Sequence, residues 1–153
     1  LPQIDVYGMN EDELQEYVGR SVNLLDQSDV IRALHEAQMI IPARALVVHT
    51  RYWAIATGPD AGRHRAALDS AVRVAATRYR IGDRLTERDV EETSDLPRHG
   101  GGQALVAAVE DALPDAVGVA AFSLDVASPT TVGLGDTFVG GFLAGAVRSR
   151  ETE

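Results

Sequence analysis

Ala45-Leu46-Val47-Val48-His49 is a near-continuous apolar run of strand length. A run without polar alternation suits a strand covered on both faces, as in a parallel sheet. Just upstream, Val30, Ile31, Leu34 and Ala37 or Met39 recur at helical spacing and predict a helix from Ser28 to Met39, closed by Pro42. Just downstream, Trp53 to Thr57 reads as the antiparallel or sequential partner strand.

The same pattern extends in both directions. Ile4-Asp5-Val6-Tyr7 reads as a short strand ended by Gly8, followed by a helix from Asn10 to about Val18. Arg63 to Tyr79 is the longest helix candidate, with Ala66, Leu68, Ala71, Val72, Val74 and Ala75 on its apolar face. Arg80 to Gly102 is polar and ends in His99-Gly100-Gly101-Gly102, the composition of a surface loop. A helix from Gln103 to Ala112, a strand-like stretch from Val117 to Val126 and a last helix from Asp136 to about Arg148 complete the chain. Strands alternating with helices predict an α/β fold with a parallel or mixed sheet.

The 153 residues are 45% hydrophobic and 24% charged, which is one ordinary domain with enough apolar surface to build a core. No apolar run approaches the ~18–20 residues of a membrane span. The net charge of −9 and the lack of a basic stripe speak against nucleic acid as a partner. With no cysteine there is no disulfide framework, thiol nucleophile or thiolate metal site. All 14 basic residues are arginine, so the lysine that a Walker-A loop, a protein-kinase strand or a Schiff base needs is missing.

Chemistry concentrates at strand-to-helix junctions. In Thr131-Val132-Gly133-Leu134-Gly135-Asp136-Thr137-Phe138, two glycines flank a leucine just before an apolar helix rich in small residues. Glycines there let the backbone turn with positive φ and let an anion approach the amides, at the positive end of the helix dipole. Asp136 then has two readings: a proton acceptor beside that anion, or simply the N-cap of the helix. Likewise, Asn10-Glu11-Asp12-Glu13 reads as a capping box, with Glu13 three residues after Asn10, or as a carboxylate placed near Mg²⁺. His49 falls at the end of the buried strand, where open α/β sheets bind ligands, and reads equally as a structural histidine. His35, His64 and His99 fall on helix surface or loop and carry no assignment, and Tyr52 and Trp53 read as packing residues.

Taken together, these blocks resemble the ribokinase-like sugar kinases. Val132-Gly133-Leu134-Gly135-Asp136 and its glycine-rich helix are similar to the C-terminal signature of the ADP-dependent glucokinase and phosphofructokinase branch. The ATP-using branch more usually has alanine between the glycines. Gly8-Met9-Asn10-Glu11-Asp12-Glu13-Leu14 looks like that branch's Asn-x-x-Glu motif, and Val47-Val48-His49-Thr50-Arg51 resembles its strand before the nucleotide pocket. The blocks occur in the family's order and the likeness covers nearly the whole chain.

The resemblance implies a three-layer αβα sandwich, with residues 1–153 forming the C-terminal, nucleotide-binding part of its large domain. It further implies a cytoplasmic, glycolytic, Mg²⁺-dependent transfer of a phosphoryl group from ADP to a hexose, glucose or fructose 6-phosphate, giving AMP and sugar phosphate. Asp136 matches the family's catalytic base. The amides of Gly133, Leu134, Gly135 and Asp136 match its anion hole. Glu13, with Asn10, matches the motif that places magnesium, and His49 matches a position lining the nucleotide pocket. The family's His-x-Glu motif, most of its sugar contacts and its lid would lie before Leu1, so the chain alone is expected to be inactive or nearly so, with an unpaired sheet edge. An ATP-dependent ribokinase-type kinase and a non-catalytic nucleotide-binding module are the competing readings.

Overall fold

A computed structural model describes residues 4–151. Four strands, β1 (Val6–Asn10), β2 (Ala45–His49), β3 (Trp53–Thr57) and β4 (Ala116–Ala120), lie in that order in one sheet. β1 and β2 run parallel, with Val6 opposite Ala45 and Asn10 opposite His49. β3 is antiparallel to both β2 and β4, so the sheet is mixed. The parallel pair needs a crossover. α1 (Glu11–Val18) and α2 (Gln27–Ile40) supply it, while α3 (Arg65–Ile81), α4 (Glu87–Ser94) and α5 (Gly100–Ala112) connect β3 to β4. α6 (Leu134–Glu151) ends the described chain.

Strand alternation sends side chains to opposite faces, and here each face meets its own helices. Leu46, Val48, Trp53 and Ile55 pack with Leu14 of α1, Val30 and Leu34 of α2, and Leu105 and Val109 of α5. Val47, Ala54 and Ala56 pack with Leu68 and Ala71 of α3 and Phe138 and Phe142 of α6. The fold therefore has three layers, helices, sheet and helices. Each fully buried Val, Leu or Ile contributes roughly 1.5–3 kcal/mol. Trp53, fully buried, also donates its Nε1–H to Leu24 O at 2.7 Å.

Several predicted boundaries move. β1 starts later than Ile4 and runs through Gly8, whose outward Cβ position meets nothing. α2 starts at Gln27, one residue before Ser28, and Asp26 caps it, accepting from Asp29 N at 2.8 Å. A 3-10 turn at Ala61–His64 delays α3, and it buries His64 against Phe142. β4 is shorter than the predicted Val117–Val126, and α6 begins two residues before Asp136.

The largest correction is the predicted loop Arg80–Gly102. It contains α4, opened by a Thr86–Asp89 capping box and anchored by Thr93. Thr93 is fully buried, its Oγ1 2.9 Å from Thr77 Oγ1 and accepting from Arg80 Nη1 at 2.7 Å. His99 and the three glycines form the start of α5, with His99 Nδ1 accepting from Gly102 N at 3.0 Å. Glycine is needed at 102 because a Cβ there would lie 2.2 Å from Tyr52 O.

Candidate active site

Because β1 and β2 are parallel, their carboxyl ends reach the same edge of the sheet, which is where open α/β folds place their ligands. Asn10 ends β1 in extended backbone and caps α1, its Oδ1 accepting from Asp12 N and Glu13 N, each at 2.9 Å. Glu13 Oε2 accepts from Asn10 N at 2.8 Å. The capping box expected from the sequence is therefore complete. It uses both lone pairs of Asn10 Oδ1 and leaves Glu13 Oε1 without a hydrogen bond among the described residues. Beside it, Glu11 accepts from Arg51 N at 3.0 Å and from Arg51 Nη2 at 2.8 Å. That pair ties the β2–β3 turn down onto the first turn of α1.

His49, opposite Asn10, is half-buried and stacks on Phe138 of α6, ring centroids 4.3 Å apart and planes 21° from parallel. Burial pushes its pKa below the usual imidazole range, and the fields of Glu13 and Glu11 only partly oppose this. Near neutral pH the ring is therefore uncharged and presents a flat face to its partner. The stack brings the amino-terminal turns of α6 to the end of β2.

At that end of α6, Thr137 N is the first donor in the helical ladder, reaching Gly133 O at 3.1 Å. The N–H groups of Leu134, Gly135 and Asp136 have no acceptor among the described residues. They form the open positive terminus that every helix leaves unless it is capped. Asp136 is the third residue of the helix and not its N-cap, so the capping alternative is removed. Its carboxylate is exposed and takes no hydrogen bond or ion pair among the described residues. Gly133 adopts φ +76°, a conformation that favours glycine.

One contributor has no signature in the sequence. Arg78, in the last turn of α3, donates from Nη1 to Gly133 O and to Thr137 Oγ1, both at 2.8 Å. Its Nε and Nη2 donate to Asp83 Oδ1 at 3.0 and 2.7 Å.

The structure thus brings Asn10, Glu13 and His49 to one sheet edge and attaches the Gly133–Asp136 turn to it through Phe138. Chemically, such a terminus can hold an anion with a proton acceptor beside it. No three His, Asp or Glu side chains converge as a metal-binding group among the described residues. A Mg²⁺ held by one carboxylate, waters and ligand phosphates needs no such group, and Glu13 Oε1 is the oxygen that fits that role. A groove of about 330 Å³ lined by Asp69, Arg73, Gly145 and Arg148 lies toward the far end of α6 and includes none of these residues. No described helix is long and apolar enough to cross a membrane.

No protein-family model and no curated protein matches the chain. Solved structures do match it in shape. A phosphofructokinase from Pyrococcus horikoshii OT3, crystallised with AMP, matches 100% of this chain and 38% of its own, at 20% identity and a TM-score of 0.78. An ADP-dependent kinase in complex with fructose-6-phosphate and ADPβS matches 93% of this chain and 38% of its own, at 17% identity and a TM-score of 0.72. The last common ancestor of ADP-dependent phosphofructokinases from Methanosarcinales matches 93% and 36%, at 19% identity and 0.71. The chain spans little more than a third of the length of these structures and has the fold of that part of them.

Proposed function

We propose that the chain is the C-terminal, nucleotide-binding part of a ribokinase-like, cytoplasmic sugar kinase that transfers a phosphoryl group from ADP to a hexose, giving AMP and a sugar phosphate. The observation that carries this is the α6 terminus. Three amides and an Asp136 carboxylate that have no partner among the described residues are held at the carboxyl ends of the parallel strands by the stack of His49 on Phe138. The fold shared with ADP-dependent kinases, and the leucine between Gly133 and Gly135, favour ADP over ATP as donor.

In this mechanism the amides of Leu134, Gly135 and Asp136 hold the oxygens of the migrating phosphoryl group. The sugar hydroxyl oxygen forms the new bond to the β-phosphorus as the bond from that phosphorus to the α,β-bridging oxygen breaks. AMP departs with that oxygen, and Asp136 accepts the hydroxyl proton. A magnesium ion, when bound, neutralises phosphate charge, and Glu13 Oε1 would hold it, with Asn10 fixing the Glu13 side chain. His49 bounds the nucleotide side of the site as a neutral ring.

The test is Asp136→Asn in the full-length protein. Loss of the base lowers kcat at least ~100-fold while ADP affinity stays within several-fold of the original. Undiminished turnover removes Asp136 as the base. Appearance of AMP identifies ADP as the donor, whereas ADP formed from ATP would favour a ribokinase-type enzyme. Nucleotide binding with no turnover of any hexose would leave a binding module.

A further inference from the structure

We propose that Arg78 is the positioning residue of the anion-binding turn, an inference that rests on reading the α6 amino terminus as the phosphate site. Gly133 O accepts from Arg78 Nη1 at 2.8 Å, Thr137 N at 3.1 Å and Thr137 Oγ1 at 2.9 Å. Two of these donors belong to the first turn of α6 itself and the third to the end of α3. A trans peptide is planar, with its C=O and N–H pointing in opposite directions. Pulling Gly133 O inward therefore turns Leu134 N–H outward, toward the place an anion would occupy. Arg78 also fills the space beside Gly133, since a Cβ there would lie 2.6 Å from Nη1. Side chain and backbone thus hold one another in a single arrangement.

Arg78 is not a ligand-binding group in this arrangement. Nη1 is divided between Gly133 O and Thr137 Oγ1, and Nε and Nη2 are both turned onto Asp83 Oδ1. A planar guanidinium committed on two edges sets geometry more tightly than an ammonium could. A second tether runs parallel to it, with Thr130 N donating to Tyr79 O at 3.1 Å. The end of α3 is therefore the frame on which the turn is stretched, and Asp83 fixes the rotamer of the residue that stretches it.

The test uses the full-length protein and compares ADP with adenosine by titration calorimetry. The two ligands share a base and ribose and differ in the diphosphate. Arg78→Gln weakens ADP at least ~10-fold and changes adenosine less than about twofold, because only the phosphate-facing amides are disoriented. Asp83→Ala, at an exposed side chain that costs little stability, weakens ADP several-fold even though it removes a negative charge. Simple electrostatics predicts the opposite sign for that variant, and tighter ADP binding by Asp83→Ala overturns the proposal. It is overturned equally if ADP and adenosine weaken together in Arg78→Gln, or if neither variant affects ADP. Should Arg78→Gln fail to fold, Asp83→Ala decides alone. An unaltered full-length protein that binds neither ligand refutes the phosphate-site reading itself, a result distinct from those above.

Discussion

Three glycines of α6 sit within six residues of one another, and the structure assigns them opposite mutational signs. A Cβ on Gly140 would meet nothing within 4 Å. A Cβ on Gly141 would lie 2.9 Å from Ala71 Cα and 3.2 Å from Ser70 O. A Cβ on Gly145 would lie 2.8 Å from Ser70 Cβ and 2.9 Å from Ala67 Cα. Replacing glycine by alanine inside a helix gains about 0.5–1 kcal/mol of propensity. Gly140→Ala should collect that gain undiminished. At 141 and 145 the obstacles are main-chain or near-main-chain atoms of α3, which cannot swing aside, and overpacking costs typically 1–3 kcal/mol. The net expectation is a loss of roughly 1 kcal/mol for Gly141→Ala and roughly 2 kcal/mol for Gly145→Ala, after the propensity gain is subtracted. Urea unfolding measures this directly. With a slope of about 2 kcal/mol/M, the midpoint rises by a few tenths of a molar for Gly140→Ala and falls by about 0.5–1 M for the other two. If all three raise the midpoint alike, α6 does not lie against α3 at the observed distance. The placement of Asp136 by that packing would then be wrong as well.

Four smaller tests follow from other contacts, the first two concerning one capping box. Glu13→Gln keeps the capping box, because glutamine serves at that position, so unfolding midpoints should stay within ~0.5 kcal/mol, while the Mg²⁺ concentration for half-maximal activity of the full-length enzyme rises. An unchanged Mg²⁺ requirement would leave Glu13 only its cap. Asn10→Ala, in contrast, should cost about 1 kcal/mol of stability in the same unfolding assay. The His49 pKa is lowered by folding, so its contribution is complete above the unfolded value of about 6.5 and is lost as pH falls through that value toward the folded one. The thermal midpoint of the chain should therefore drop between about pH 7 and pH 5, and His49→Gln should flatten that segment of the profile; equal slopes in both proteins would refute the assignment. Gly102→Ala forces a methyl group to within 2.2 Å of Tyr52 O, and calorimetric unfolding should show a loss of roughly 3 kcal/mol or more.

The parts of this fold that were legible in the sequence are those written in apolar periodicity. β2 is a five-residue run buried on both faces, and its limits could be read directly. α4 was not legible, because its anchor is Thr93, buried against Thr77 and Arg80, and a polar anchor leaves no hydrophobic stripe. The glycines after His99 look like a loop because glycine usually signals one. Here they open a helix, and at Gly102 glycine is required by the approach of Tyr52 O, a contact between segments distant in sequence. The site divides in the same way. Asn10, Glu13, Gly133 and Asp136 lie at junctions where the local pattern itself restricts what the backbone can do. Arg78 and Glu11 act across 55 and 40 residues respectively, where no local pattern reaches.

Charge balance links these residues. A helix terminus carries roughly half a positive charge, far too little to offset a nucleoside diphosphate. The acidic residues at the same sheet edge add to the deficit. Glu11 is neutralised by Arg51, but Glu13 Oε1 and the Asp136 carboxylate have no cationic partner among the described residues. Arg78 is itself paired with Asp83 and contributes geometry in place of net charge. In a chain of net charge −9, a diphosphate at this terminus therefore requires a cation brought from solution. On the proposed reading Glu13, whose Oε1 takes no hydrogen bond among the described residues, would share it. Hence ADP affinity should depend steeply on Mg²⁺ in the unaltered chain and less steeply in Glu13→Gln, whereas a purely structural Glu13 would leave the two dependences superimposed.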